Sequence, residues 1–216
     1  MIVGLFAAGA FLAATVSTAH AVVISDLYNT GVDGAGTPLG GGVDDPHYAI
    51  FAQPGAGSLV DSTVPVDGFP IPPWVANDAN SRWIGPATAD AVGPPGGYIY
   101  RTSFTLPVDV DLSTVLITGL WGTDDPGLDI LINTASTSNT SSGFGSLTAF
   151  SITSGFVVGA NTLDFVLHNS VGPTGLRVDD MTGGFELLDV PEPGTLVLFG
   201  LGLAALGLAR RRRTVP

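Results

Sequence analysis

Four kinds of side chain in this 216-residue sequence could carry chemistry: adjacent carboxylates, histidines, tryptophans and hydroxyls. Cysteine is absent, which removes thiol nucleophiles, thiolate zinc sites and disulfides together. Acidic pairs stand at Asp44-Asp45, Asp124-Asp125 and Asp179-Asp180, with Asp129 close behind the second. Neighbouring carboxylates repel unless water or a hard cation screens them, and Ca²⁺ takes six to eight such oxygens from loops. Asp124, Asp125 and Asp129 are therefore the candidate ligands of a structural calcium, with plain solvated turns as the alternative. No other cofactor is expected. Asp109 to Ser113 lacks the Gly and the terminal Glu of an EF-hand loop.

Catalysis is not expected from these groups. A glycosidase needs two carboxyls set about 5–9.5 Å apart across a cleft, whereas adjacent Asp on a turn usually point apart. His47 and His168 accompany no G-x-S-x-G elbow, and Gly40-Gly41-Gly42 has no Lys-Ser/Thr behind it, so nucleophile and phosphate-loop readings both fail. Trp74 is the candidate ligand-binding residue. Phe69-Pro70-Ile71-Pro72-Pro73 places it in a stiff loop, where an indole face suits a sugar ring, with burial as the alternative. Trp83 and Trp121 sit at strand positions and read as core.

These residues need a scaffold, and the chain between its terminal apolar segments reads as all-β. Turn signals recur about every ten residues, with Gly 30 and Pro 16 supplying them, and no helical periodicity of useful length appears. Tyr98 to Leu106 alternates cleanly, with Tyr98, Tyr100, Thr102, Phe104 and Leu106 on one face. Further strands are expected at His47 to Phe51, Arg82 to Ile84, Val115 to Trp121, Leu128 to Asn133, Ala149 to Ile152, Thr162 to Asn169, and Leu176 to Asp180 running into Gly184 to Leu188. The fold class is a jelly roll or β-sandwich of about eight antiparallel strands, flanked by an N-terminal signal helix and a C-terminal hydrophobic helix. Ser138 to Ser146 is Ser/Gly-rich and expected to be a mobile loop.

From Val22 to Val190 the sequence holds 17 Asp and one Glu against Arg82, Arg101 and Arg177, a balance of −15, with no Lys. Such a surface repels phosphates, which excludes nucleic acid and leaves cations, neutral glycans or basic partners.

The two ends read as addresses. An apolar stretch from Ile2 to Val16 leads to Ala19-His20-Ala21, whose small residues fit cleavage by signal peptidase, so 1–21 is the signal peptide. It lacks the usual basic start, and a start codon a few residues upstream is expected. The β domain is assigned to 22–188 and the tail to 190–213. In the tail, Pro191, Glu192 and Pro193 form the processing segment, since paired prolines hold a strand extended for a protease. Thr195 to Ala209 is the apolar helix, about 23 Å long against a hydrocarbon core of about 30 Å. Arg210, Arg211, Arg212 and Arg213 can snorkel to the headgroups and stay cytoplasmic, so the domain lies beyond the inner membrane.

The segment VPEPGTLVLFGLGLAALGLARRRR resembles the PEP-CTERM sorting signal of Gram-negative bacteria. That resemblance implies processing by an exosortase-like enzyme near Pro191 to Pro193, transient anchoring in the inner membrane, and a final place at the cell surface or in an extracellular matrix. Members are associated with exopolysaccharide and biofilm. In the domain, DDPHYAIF, SRWIG, GGYIYRTSFTL, GLWGTDDPGLDILIN, FVVGANTLDFVLHN and GLRVDD, in this order, look like galactose-binding-domain-like jelly rolls. The departure is at Asn133-Thr134, where relatives usually show Asn-Gly. Together the resemblances imply a non-catalytic module for carbohydrate or extracellular polysaccharide. A structural surface protein without a specific ligand and a secreted glycan hydrolase are the alternatives.

Overall fold

The computed structural model of the protein describes residues 21–55, 60–66, 69–86, 91–188 and 195–212. The first 20 residues of the expected signal peptide lie outside the described residues, as do Pro191, Glu192, Pro193 and Arg213. The chain divides into two compact units, one of them the β body His20–Leu187 and the other holding the C-terminal helix.

The body contains β1 (Val22–Val23), β2 (Asp44–Ala52), β3 (Val60–Thr63), β4 (Gly96–Leu106), β5 (Val110–Asp124), β6 (Gly127–Ile132), β7 (Ala135–Ser136), β8 (Thr148–Ile152), β9 (Gly159–Asn169) and β10 (Gly175–Leu187). They form two antiparallel sheets, ordered β1-β10-β5-β8 and β3-β2-β4-β9-β6-β7. The all-β, two-sheet expectation is met.

Alternation explains why the strands form where they do. In β4 the residues Tyr98, Tyr100, Thr102, Phe104 and Leu106 are all buried, while Ser103 and Thr105 between them are exposed. β9 follows the same rule with Leu163, Phe165 and Leu167 inward, and the two strands pair without a slip from Gly96↔Asn169 to Leu106↔Gly159. Phe165 joins the layers: its ring meets Trp121 of β5 at 5.7 Å and Phe150 of β8 at 6.1 Å, both from the opposite sheet. Trp83 and Trp121 are fully buried, as expected.

Four details differ from expectation. The interruption foreseen between Asp180 and Gly184 is a bulge within β10, where pairing with β5 shifts between Asp179 and Thr182 and Asp180 adopts a φ of 47°. Arg82 to Ile84 is not a strand; Ile84 makes only an isolated bridge to Leu176. β1, β3 and β7, of two to four residues, were not foreseen because such lengths show no period. Ser138 to Ser146 is fastened down: Ser141 is buried and its N–H bonds Gly127 O, while Asn139 bonds Ser151.

The hairpin joining β6 and β7 turns on Asn133 and Thr134 alone, with φ of 50° and 72°. Both lie in the left-handed region that a two-residue type I′ turn demands. Asn133 tolerates it and is held by bonds to Gly155 O and Asn161 Oδ1 at 2.9 and 2.8 Å.

The body also ends where it begins. β1 pairs with the last strand, Val22 opposite Phe185 and Val23 opposite Gly184, two residues from the end of β10.

The second unit contains α1 (Thr195–Arg212). A helix over 195–209 was expected; instead the backbone stays helical through Arg210, Arg211 and Arg212. Phe199, Leu201, Leu203 and Leu206 are exposed, as is Arg210. Among the described residues no helix is long and apolar enough to cross a membrane, because the apolar run stops after 15 residues and arginines complete the helix.

Candidate functional site

The residues singled out at Trp74 and at Asp124 come together, but not as an open site. Trp74 N–H bonds Ile71 O and Val75 N–H bonds Phe144 O, folding the Pro-rich loop back onto the body. The indole lies against Trp83 at 4.4 Å and Phe144 at 6.5 Å, and its Nε1–H donates to Asp124 Oδ2 at 2.9 Å. Only 8% of Trp74 remains exposed. The expectation of an exposed stacking face is therefore corrected: the ring is apolar enough to pack, and its polar handle is already satisfied.

The proposed calcium ligands do not gather as a set of three: the Asp124 and Asp125 carboxyls stay close to each other, whereas Asp129 turns to another loop. Asp125 Oδ2 accepts from Ser170 N–H at 2.7 Å, and Asp129 Oδ2 accepts from Ser136 Oγ at 2.5 Å, so each carboxylate serves a different loop. Among the described residues no three of His, Asp or Glu gather into a group that could hold a metal ion, which corrects Asp124, Asp125 and Asp129 as a shared site. Burial, then the neighbouring Asp125 charge, pushes the Asp124 carboxyl up to about 6, against the opposing hydrogen bond from Trp74. His168, also considered above, is exposed on β9.

A site that the residue spacing did not reveal lies on the six-stranded sheet. Two adjoining open clefts of about 530 and 410 Å³ share Pro46, His47, Thr102 and Ser103 and run across β2 and β4. Those volumes fall within the range of small-ligand sites.

Asp45 builds the floor. Buried to 6% exposure, it accepts N–H bonds from Gly31 at 2.6 Å, His47 at 2.7 Å and Tyr48 at 3.1 Å. Burial raises its carboxyl above the usual range although these donors oppose the rise. Tyr48 Oη donates to Tyr28 O at 2.7 Å, and this places the Tyr28 ring flat on the His47 imidazole, 3.6 Å away and 5° from parallel. His47 Nε2 is buried without a hydrogen-bond partner.

Charge is unevenly placed around this aromatic pair. Asp26, Asp44 and Asp61 are exposed at the clefts. The guanidinium of Arg101 is already committed, bidentate to Asp164 at 2.6 and 2.7 Å and stacked 3.5 Å over Phe51. The cleft is thus rigid, aromatic and acidic. Tyr28 carries no signal in the sequence, because its partner His47 is 19 residues away and only the fold stacks them.

Residues 189–213 match the model of the PEP-CTERM protein-sorting motif. This supports an exported protein that is sorted and processed by an exosortase. No curated protein and no solved structure matches the chain.

Proposed function

We propose that this chain is an exported surface module, cut by an exosortase-type enzyme near Pro191 to Pro193, that acts without catalysis by holding extracellular polysaccharide. The observation that carries the reading is the sorting motif at residues 189–213 directly behind the β body. Signal peptidase removes 1–21, and the apolar helix with Arg210 to Arg213 then anchors the chain transiently at the inner membrane. An apolar run about 23 Å long holds such a chain weakly, which suits an anchor that is discarded. The body belongs with galactose-binding-like jelly rolls in this reading, and no cofactor is required.

A non-catalytic role is supported at Asp124, whose carboxyl is pushed up to about 6. Asp124 is buried and faces an indole N–H, so it has no open position for a reacting group. The burial of Trp74 favours one competing reading, a structural surface protein without a specific ligand.

The test is to replace Pro191, Glu192 and Pro193 with Ala and follow both termini by mass spectrometry in membranes, culture and matrix. The unaltered protein should be found outside the cell without Arg210 to Arg213, and the variant should stay membrane-attached with them. Cytosolic protein with both ends intact would overturn the reading. Co-sedimentation with matrix polysaccharide separates the binding role from the structural one.

A further inference from the structure

The cleft over β2 and β4 combines two properties that select different parts of a ligand. Tyr28 and His47, both half-buried, are stacked face to face at 3.6 Å, so the pair is preorganised and offers a pyranose an outer ring face and the ring edges. Asp26, Asp44 and Asp61 supply exposed negative charge, and the single guanidinium in the cleft is neutralised by Asp164. The rest of the body deepens the negative field, since its three arginines face 18 carboxylates between Val22 and Val190.

Resting on the polysaccharide reading above, we propose that this cleft binds a glycan bearing protonated amino groups, its ring against the outer side of the Tyr28–His47 stack and its ammonium groups among Asp26, Asp44 and Asp61. Uronate and sulfated polymers are repelled by the same carboxylates. Acetylation of the amine removes the charge while leaving the ring, so it isolates the electrostatic part of recognition.

Calorimetric titration of the processed protein at pH 6 with a glucosamine hexamer, its fully N-acetylated form, a polyuronate hexamer and hexalysine tests this. The glucosamine hexamer should bind, with affinity falling as salt rises. The N-acetylated form should bind about tenfold or more weakly, and the polyuronate not at all. Asp61→Asn, at an exposed position outside the core, should weaken glucosamine binding several-fold while leaving the melting temperature unchanged. Tyr28→Ala should abolish binding of both neutral and amino forms.

Equal affinity for the acetylated and free-amine hexamers would overturn the amine preference and leave the polysaccharide reading standing. Binding of hexalysine as tight as that of the sugar would overturn it in favour of a basic peptide partner. Failure of every glycan, together with failure to sediment with matrix polysaccharide, would sink both.

Discussion

Trp74 donates its indole N–H to Asp124 across 2.9 Å, tying a Pro-rich loop to the last residue of β5. A carboxyl in this position holds its proton in the folded state at pH values where the unfolded chain has released it, because its value rises to about 6. Its stabilising contribution is complete below the unfolded value near 4 and is lost as pH rises through about 6, at a cost on the order of 3 kcal/mol. Asp124→Asn keeps an acceptor for the indole and removes the charge. Urea unfolding at pH 4 and pH 7.5 should show the variant equal to the parent at the acid end and more stable at the other. Parallel stability curves across that range would refute the assignment.

Thr134 holds a φ of 72° with a β-branched side chain. Left-handed backbone costs such a residue roughly 1–2 kcal/mol, and glycine pays no such penalty. Thr134→Gly should therefore raise stability by about 1 kcal/mol, seen as a higher denaturant midpoint with an unchanged slope. A lower midpoint would mean that the turn relies on the threonine side chain.

Arg177 is 1% exposed on β10, and its guanidinium bonds Ser81 Oγ at 2.8 Å, Asp78 Oδ2 at 2.5 Å, Asp179 Oδ2 at 3.1 Å and the carbonyl of Ala76. Arg177→Met fills most of the volume and strands the Asp179 carboxylate, itself buried. The expected loss is about 3–5 kcal/mol by equilibrium unfolding. Adding Asp179→Asn should recover part of it, which a merely steric defect would not allow.

Gly127 lies under Trp121. A Cβ added there would stand 2.4 Å from the indole ring and 2.9 Å from Ser141 Cβ. Gly127→Ala should cost about 1–3 kcal/mol or more through overpacking, and near-ultraviolet circular dichroism should report the displaced tryptophan. An unchanged tryptophan signal would contradict the packing described.

The long strands were legible because each buries one face, so period-2 alternation survives in the residues themselves, as β4 and β9 show. Asp180 illustrates what was not legible: a single residue in left-handed conformation leaves a bulge, and in sequence that looks the same as a strand end. Trp74 stands out in the sequence as a residue of a stiff loop, but whether it is exposed or buried is not legible there, since nothing near it announces Trp83, Phe144 or Asp124 as partners. The Tyr28 and His47 pair was missed for the same reason. The tail was the most readable part, because a sorting address must work as a linear string and its chemistry is written in order along residues 189–213.

β10 is flanked on one side by β1 and on the other by β5, and it is also the strand from which the chain leaves the body. Any tug delivered through the tail therefore enters an interior strand along its length. Past Glu186 and Leu187, which pair with β5 alone, the pull meets hydrogen bonds on both flanks where Val22 and Val23 lie opposite Phe185 and Gly184. A load on that end is therefore shared between β5 and the short terminal strand β1, which serves as the clasp on the outer side.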